Sequence, residues 1–179
     1  MGNLRRPHIY VDGSCLENRN VDSSTKAGWG FCVIEGDSGV GNGKGDVVTE
    51  MSGEVVTDPE SGSYIGAEVG SNNTAELSAV AHALRWLLIQ NSIESATIRG
   101  DSEYALRISS CMWKAKANKD LARRAQELWR EAAQHFDLRG EHVRAHKGHR
   151  WNERADHLAF RAMQGEKPLP LQFWKPGRR

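Results

Sequence analysis

Residues 72–102 read NNTAELSAVAHALRWLLIQNSIESATIRGDS, and the reading of this stretch decides the fold. Leu77, Val80, Ala81, Leu84, Leu87 and Leu88 recur at helical spacing, which predicts an amphipathic helix over about Thr74 to Gln90. Ala96-Thr-Ile-Arg99 follows as a short apolar strand that ends at Gly100-Asp101-Ser102. Upstream the pattern is strand only. Ile9-Tyr-Val11 reads as a short buried strand ending in a turn at Asp12-Gly-Ser, Ala27 to Ile34 as a second strand, and Asp46 to Val56 as a third. The Gly-rich connection Gly36 to Gly45 suits a hairpin between the last two. Downstream the pattern alternates: residues 103–112 helical, Leu121 to Phe136 a second strong helix, Leu138 to Ala145 a strand, Asn152 to Met163 a final helix. Three strands followed by alternating helix and strand describe an α/β fold, a mixed five-stranded sheet flanked by helices.

With 179 residues the chain fits one domain of ordinary size, placed at 8–163, with a short N-terminal extension at 1–7. Residues 164–179 hold three of the five prolines and are expected to be extended or disordered. The net charge of +1 hides an asymmetry: residues 1–98 carry 6 Lys and Arg against 13 Asp and Glu, residues 99–179 carry 18 against 10. A basic half on a near-neutral chain suits a polyanionic partner on one face, although solvated helix faces give the same count. Cys15, Cys32 and Cys111 are too few and too odd in number for a disulfide framework and read as free thiols in a reducing, cytoplasmic setting. The apolar run His8-Ile-Tyr-Val11 is too short for a signal peptide or a membrane span.

The chemistry-bearing candidates are acids. Asp12 and Asp101 each follow a short buried strand; if the strands are parallel neighbours, both carboxylates lie at the C-terminal ends, where open α/β sheets place their sites. Each could also be an ordinary turn residue. Glu76 has a good local explanation, because with Asn73 as N-cap it falls at the third helical position of a capping box. Asp156 lies early in the last helix, after a Gly-containing loop with His146 and His149. Four acids beside a histidine loop suit hard, oxygen-seeking cations such as Mg²⁺ or Mn²⁺, while no His or Cys spacing suits zinc.

Tyr10-Val-Asp12-Gly-Ser, Asn72-Asn-Thr-Ala-Glu76-Leu, Asp101-Ser-Glu-Tyr104 and His146-Lys-Gly-His149-Arg-Trp-Asn-Glu-Arg-Ala-Asp156 occur in that order. Together they resemble the four signature blocks of type 1 ribonuclease H, over about residues 8–163. The resemblance implies a ribonuclease H-like fold and a metal-dependent endonuclease, a phosphodiester hydrolase that cuts the RNA strand of RNA/DNA hybrids without sequence preference. The product ends would be 5′-phosphate and 3′-hydroxyl. It implies Asp12, Glu76, Asp101 and Asp156 as ligands of two Mg²⁺ ions (Mn²⁺ being an alternative), in two-metal-ion catalysis. His146 would be the loop histidine that assists proton transfer and product release, and His149 is left structural or auxiliary.

The same resemblance implies Asn72 and Asn73, and with them Asn18, as groove contacts. It implies Ser71 and Asn118 as a pocket for a DNA-strand phosphate, and Tyr104 and Trp113 as aromatic walls of the DNA channel. Neutral amides suit a hybrid read by shape and 2′-hydroxyls. Where some relatives carry an Arg two residues before Ser71, this chain has Val69, and only sixteen residues separate Asp101 from Asn118, so the basic protrusion of fuller members is trimmed. Core packing is the competing reading for Trp113. The other functional readings are a reverse-transcriptase-associated domain of a retroelement and a non-catalytic hybrid-binding module. A monomer without membrane association is expected.

Overall fold

The computed structural model describes residues 5–144 and 148–179. Its elements run β1 (His8–Cys15), β2 (Ala27–Glu35), β3 (Asp46–Glu54), α1 (Asn72–Leu88), β4 (Ser95–Gly100), α2 (Glu103–Ser109), α3 (Lys119–His135), β5 (Asp137–His142) and α4 (Arg150–Gln164), then a 3-10 turn at Leu171–Phe173. The sheet has five strands in the order β3-β2-β1-β4-β5. The first three strands pair antiparallel as a meander, and β4 and β5 add parallel to β1.

Burial explains why these segments take these places. In β2 every residue but Glu35 is buried, as a continuous apolar run demands of a strand covered on both faces. In β3 burial is partial, as befits an edge. The larger core lies on one face, where Ile9, Val11, Phe31 and Val33 meet Leu77, Val80, Leu84 and Leu87 of α1 and Leu121 and Ala125 of α3. The smaller core lies on the other face, where Tyr10, Cys32 and Ile34 meet Trp151, Ala155 and Leu158 of α4. Alternation along β1 sends Ile9 and Val11 to one core and Tyr10 to the other.

Two local expectations change. The N-cap of α1 is Ser71, whose hydroxyl accepts from the Thr74 amide while the Thr74 hydroxyl accepts from the Ser71 amide. Glu76 is therefore not the capping acid of an Asn73 box. Asp12-Gly-Ser is no turn either: β1 continues through it, with Asp12 opposite Gly30 and Gly13 opposite Trp29 in the ladder with β2.

Residues 165–179 carry no strand and no α-helix, yet they are seated on the body. Gly165 closes α4 in the left-handed conformation, Leu171 packs against the smaller core, and Trp174 is 4% exposed. All three cysteines are free thiols. Among the described residues no helix is long and apolar enough to cross a membrane.

Candidate active site

The parallel ladder between β1 and β4 ends at the pair Val11 and Gly100. The next residue in each segment is an acid, Asp12 within β1 and Asp101 just beyond β4, so the register sets the two side by side. Gly13 brings the third. A Cβ at Gly13 would lie 2.5 Å from the Ala75 carbonyl carbon and from the Glu76 nitrogen, so the α1 backbone rests directly on β1. That contact holds Glu76, itself buried, next to Asp12. One ligand oxygen from each of Asp12, Glu76 and Asp101 lies within 4.8 Å of the others, the arrangement a cation could occupy among the described residues.

The electrostatics follow from this crowding. Asp12 is held well above the usual carboxylate range, first by burial, then by the charges of Glu76 and Asp101. Glu76 is pushed up to about 8, again by burial first and then by Asp101. The two share a hydrogen bond that favours a protonated Asp12 donating to an ionised Glu76. Glu76 Oε2 is buried with no hydrogen-bond donor among the described residues. A buried acceptor left in this state is costly unless a proton or a cation meets it.

Asp156 comes from the opposite face. Glycine again makes the approach close: a Cβ at Gly30 would lie 2.6 Å from Leu158 Cβ, and one at Gly28 2.5 Å from the Ala159 carbonyl oxygen. The buried Arg154 ties α4 to β3 through Glu50, at 2.9 and 2.5 Å. Asp156 thus stands on the second turn of α4 and lines one cavity with Asp101, Asn152 and Glu153. Its charge reaches both Asp12 and Glu76. Its own carboxylate accepts from Arg179, Nε to Oδ2 at 3.0 Å and Nη2 to Oδ1 at 2.9 Å. No sequence signal announced that partner.

His149 caps α4, its Nδ1 accepting from the Trp151 amide at 3.3 Å. Its ring stacks on Tyr10 with centroids 4.8 Å apart. The Tyr10 hydroxyl accepts from His149 Nε2 at 3.2 Å and donates to Asp37. The glycine-rich β2–β3 connection is bound in as well, the Arg150 amide donating to the Asn42 carbonyl and the Trp151 indole to that of Lys44. A structural place for His149 is what these bonds describe. His146 lies outside the described residues.

Among the substrate candidates, Asn73, Tyr104 and Trp113 line one groove together with Met112, Lys114 and Lys116. Trp113 is 45% exposed, which removes the core-packing reading. Asn72 and Asn73 are exposed at the start of α1, ahead of Glu76. Asn18 is exposed in the β1–β2 loop and accepts from the Cys15 thiol. The Ser71 hydroxyl is engaged in the helix cap. Asn118 caps α3 with its backbone in the left-handed region, and its side chain makes no capping bond.

The comparisons with known proteins agree with one another. Residues 5–164 match the family model described as RNase H. The ribonuclease H of Cupriavidus necator is 32% identical over 166 residues, covering 87% of this chain and 94% of its own. That of Thermosynechococcus vestitus is 32% identical over 177 residues, covering 94% of each. The RNase H1 of Halobacterium salinarum superposes with a TM-score of 0.63 at 25% identity over 89% of this chain and 98% of its own. LC11-RNase H1, solved in complex with an RNA/DNA hybrid, shares the fold with a TM-score of 0.61 at 23% identity over 89% of this chain and 97% of its own.

Proposed function

The chain belongs to the RNase H family of endoribonucleases, and we propose that it hydrolyses the RNA strand of RNA/DNA hybrids without sequence preference, leaving 5′-phosphate and 3′-hydroxyl ends. The observation that carries this reading is the convergence of Asp12, Glu76 and Asp101 within 4.8 Å where the β1–β4 ladder ends, with Asp156 lining the adjoining cavity. Oxygen-only donors, two raised carboxyls and the unpartnered Glu76 Oε2 fit a hard divalent cation. Asp12, Glu76, Asp101 and Asp156 would hold it; the family pattern implies two ions, Mg²⁺ or Mn²⁺. Bound there, divalent ions supply Lewis-acid polarisation of the phosphodiester and a more acidic attacking water.

The remaining tasks belong to the side chains. Asp12 and Glu76 release their shared proton when they act as ligands. Asn72 and Asn73 are neutral groups that both donate and accept, suited to 2′-hydroxyls and base edges in the minor groove. Tyr104 and Trp113 offer aromatic faces to the DNA strand, with Lys114 and Lys116 beside them for phosphates. By the family resemblance His146 assists proton transfer and product release, so His146→Ala slows turnover and leaves hybrid binding.

The test uses a hybrid labelled on its RNA strand, with and without Mg²⁺, beside duplex RNA and duplex DNA. Asp12→Asn and Asp101→Asn should abolish cleavage while fold and hybrid binding persist. Full activity in either variant overturns the metal assignment, and equal cutting of all three duplexes overturns the substrate reading.

A further inference from the structure

The segment 165–179 does more than cover apolar surface. Its residues 177–179 lie against the site. The cavity that Asp101 and Asp156 share is walled on its far side by Gly177, Arg178 and Arg179. Arg179 meets Asp156 fork to fork, so both carboxylate oxygens accept from one guanidinium.

Specific contacts seat this arrangement. His157, one residue beyond Asp156, accepts from the Leu169 amide at Nε2, 3.0 Å, which leaves Nδ1 to donate to the Arg178 carbonyl at 3.1 Å. One neutral imidazole thereby clamps the segment to α4 at Leu169 and again at Arg178. The Trp174 indole donates to the same carbonyl at 2.9 Å. Arg154 lies over the Trp174 ring at 5.2 Å and Arg179 over that of Phe160 at 4.8 Å. Gly177, at φ +88°, turns the backbone so that Arg179 arrives at Asp156.

The charge is placed where it matters. The cluster of acids repels itself, and the fields of both Asp156 and Asp12 fall on Arg179. The pair is half-exposed, with the side chains at 51% and 25%, so it is a contact that a better cation can displace.

We propose that Arg179 is a built-in competitor for the metal site: its guanidinium occupies Asp156 in the free protein, and a divalent cation must displace it before the fourth carboxylate can act as a ligand. The proposal rests on the reading of Asp156 as a metal ligand. Residues 165–179 then set the cation concentration at which the site fills, and anything that lifts the segment lowers it.

The experiment follows Mn²⁺ binding without substrate, from the electron paramagnetic signal of the free ion, in the wild type, Arg179→Ala, Asp156→Asn and the double variant. Arg179 is at the surface, so its removal leaves folding intact. The expected result is about fivefold tighter binding in Arg179→Ala, the ratio a half-exposed bidentate pair supports. The Mg²⁺ requirement for cleavage should fall in parallel. In the Asp156→Asn background the arginine change should have no effect. Unchanged or weaker binding in Arg179→Ala, with binding weakened in Asp156→Asn, overturns the competition alone. An undiminished affinity in Asp156→Asn overturns the ligand assignment beneath it. An Arg179 effect that persists without Asp156 shows general charge screening and also overturns the proposal.

Discussion

Asp12 and Glu76 are the residues at which this protein holds stress. Both carboxyls have folded values above their unfolded ones, because burial and like charge disfavour ionisation. In the unfolded chain they lose their protons at about pH 4, whereas in the folded, metal-free protein Glu76 keeps its proton up to about 8 and Asp12 is held well above the usual carboxylate range. Over that window the native state binds more protons than the unfolded state, so stability is highest at the acid end and falls as pH rises. Calorimetry of the metal-free protein should record a melting temperature that declines between about pH 5 and pH 8.5. Glu76→Gln should flatten the decline and melt several degrees higher than wild type at the alkaline end, each kcal/mol being worth roughly 2–4 °C in a chain of this size. Saturating Mg²⁺ should restore the wild type and leave the Gln variant little changed. A flat wild-type profile would mean that the carboxyls ionise freely and the crowding is illusory. The same linkage requires that metal binding release protons, which titration calorimetry in buffers of different ionisation enthalpy reads directly.

At the scale of elements, the site is the product of two close approaches, each made possible by the lack of a side chain. Gly13 lets α1 rest on β1, and Gly28 with Gly30 lets α4 rest on β2. Gly30→Ala would drive its new methyl into Leu158 Cβ and the Ala159 nitrogen, so α4 must shift; overpacking of this kind costs about 1–3 kcal/mol. The expected outcome is a lowered denaturation midpoint and weaker Mn²⁺ binding, because Asp156 moves with its helix. Gly13→Ala should weaken metal binding at least as much, since there the obstruction is the backbone at Glu76 itself.

Such contacts also explain what could be read from the sequence and what could not. The helices were legible from apolar spacing, and the acids from strand ends and block order. The cap of α1 was not, because Ser71-Asn-Asn-Thr74 offers several capping residues in succession and only tertiary burial withdraws Glu76 from that role. Asp12-Gly imitates a turn locally, while the long ladder with β2 carries the strand past it. The Arg179–Asp156 pair joins a loop-like segment to a helix through the fold alone. No local pattern encodes it.

At the scale of the molecule, the question is how a chain of net charge +1 grips a polyanion while presenting four acids to it. A binding module would gain nothing from that arrangement, since concentrated negative charge repels the phosphate that has to sit there. Two divalent cations held there would balance the four carboxylate charges, removing the repulsion and leaving metal positions open to phosphate oxygens. The acidic N-terminal half supplies Asp12 and Glu76, whereas the basic half supplies Lys114 and Lys116, in the same groove as the exposed Trp113 and close to the start of α1 through Asn73. On the proposed reading, attraction to the backbone is divided between fixed lysines and exchangeable metal, and the two parts can be separated. With Ca²⁺ in place of Mg²⁺ to limit cleavage, fluorescence anisotropy across a salt series should give a linear plot of log affinity against log salt. Lys114→Ala and Lys116→Ala should each reduce its slope by about 0.7–0.9 and weaken binding equally for hybrids of different sequence. Trp113→Ala should instead lower affinity by about 1–3 kcal/mol with the slope unchanged, because stacking displaces no counterions. An unaltered slope in the lysine variants would place the DNA strand elsewhere on the surface. Loss of slope in the tryptophan variant would mean that the ring positions the lysines and does not itself meet the nucleic acid.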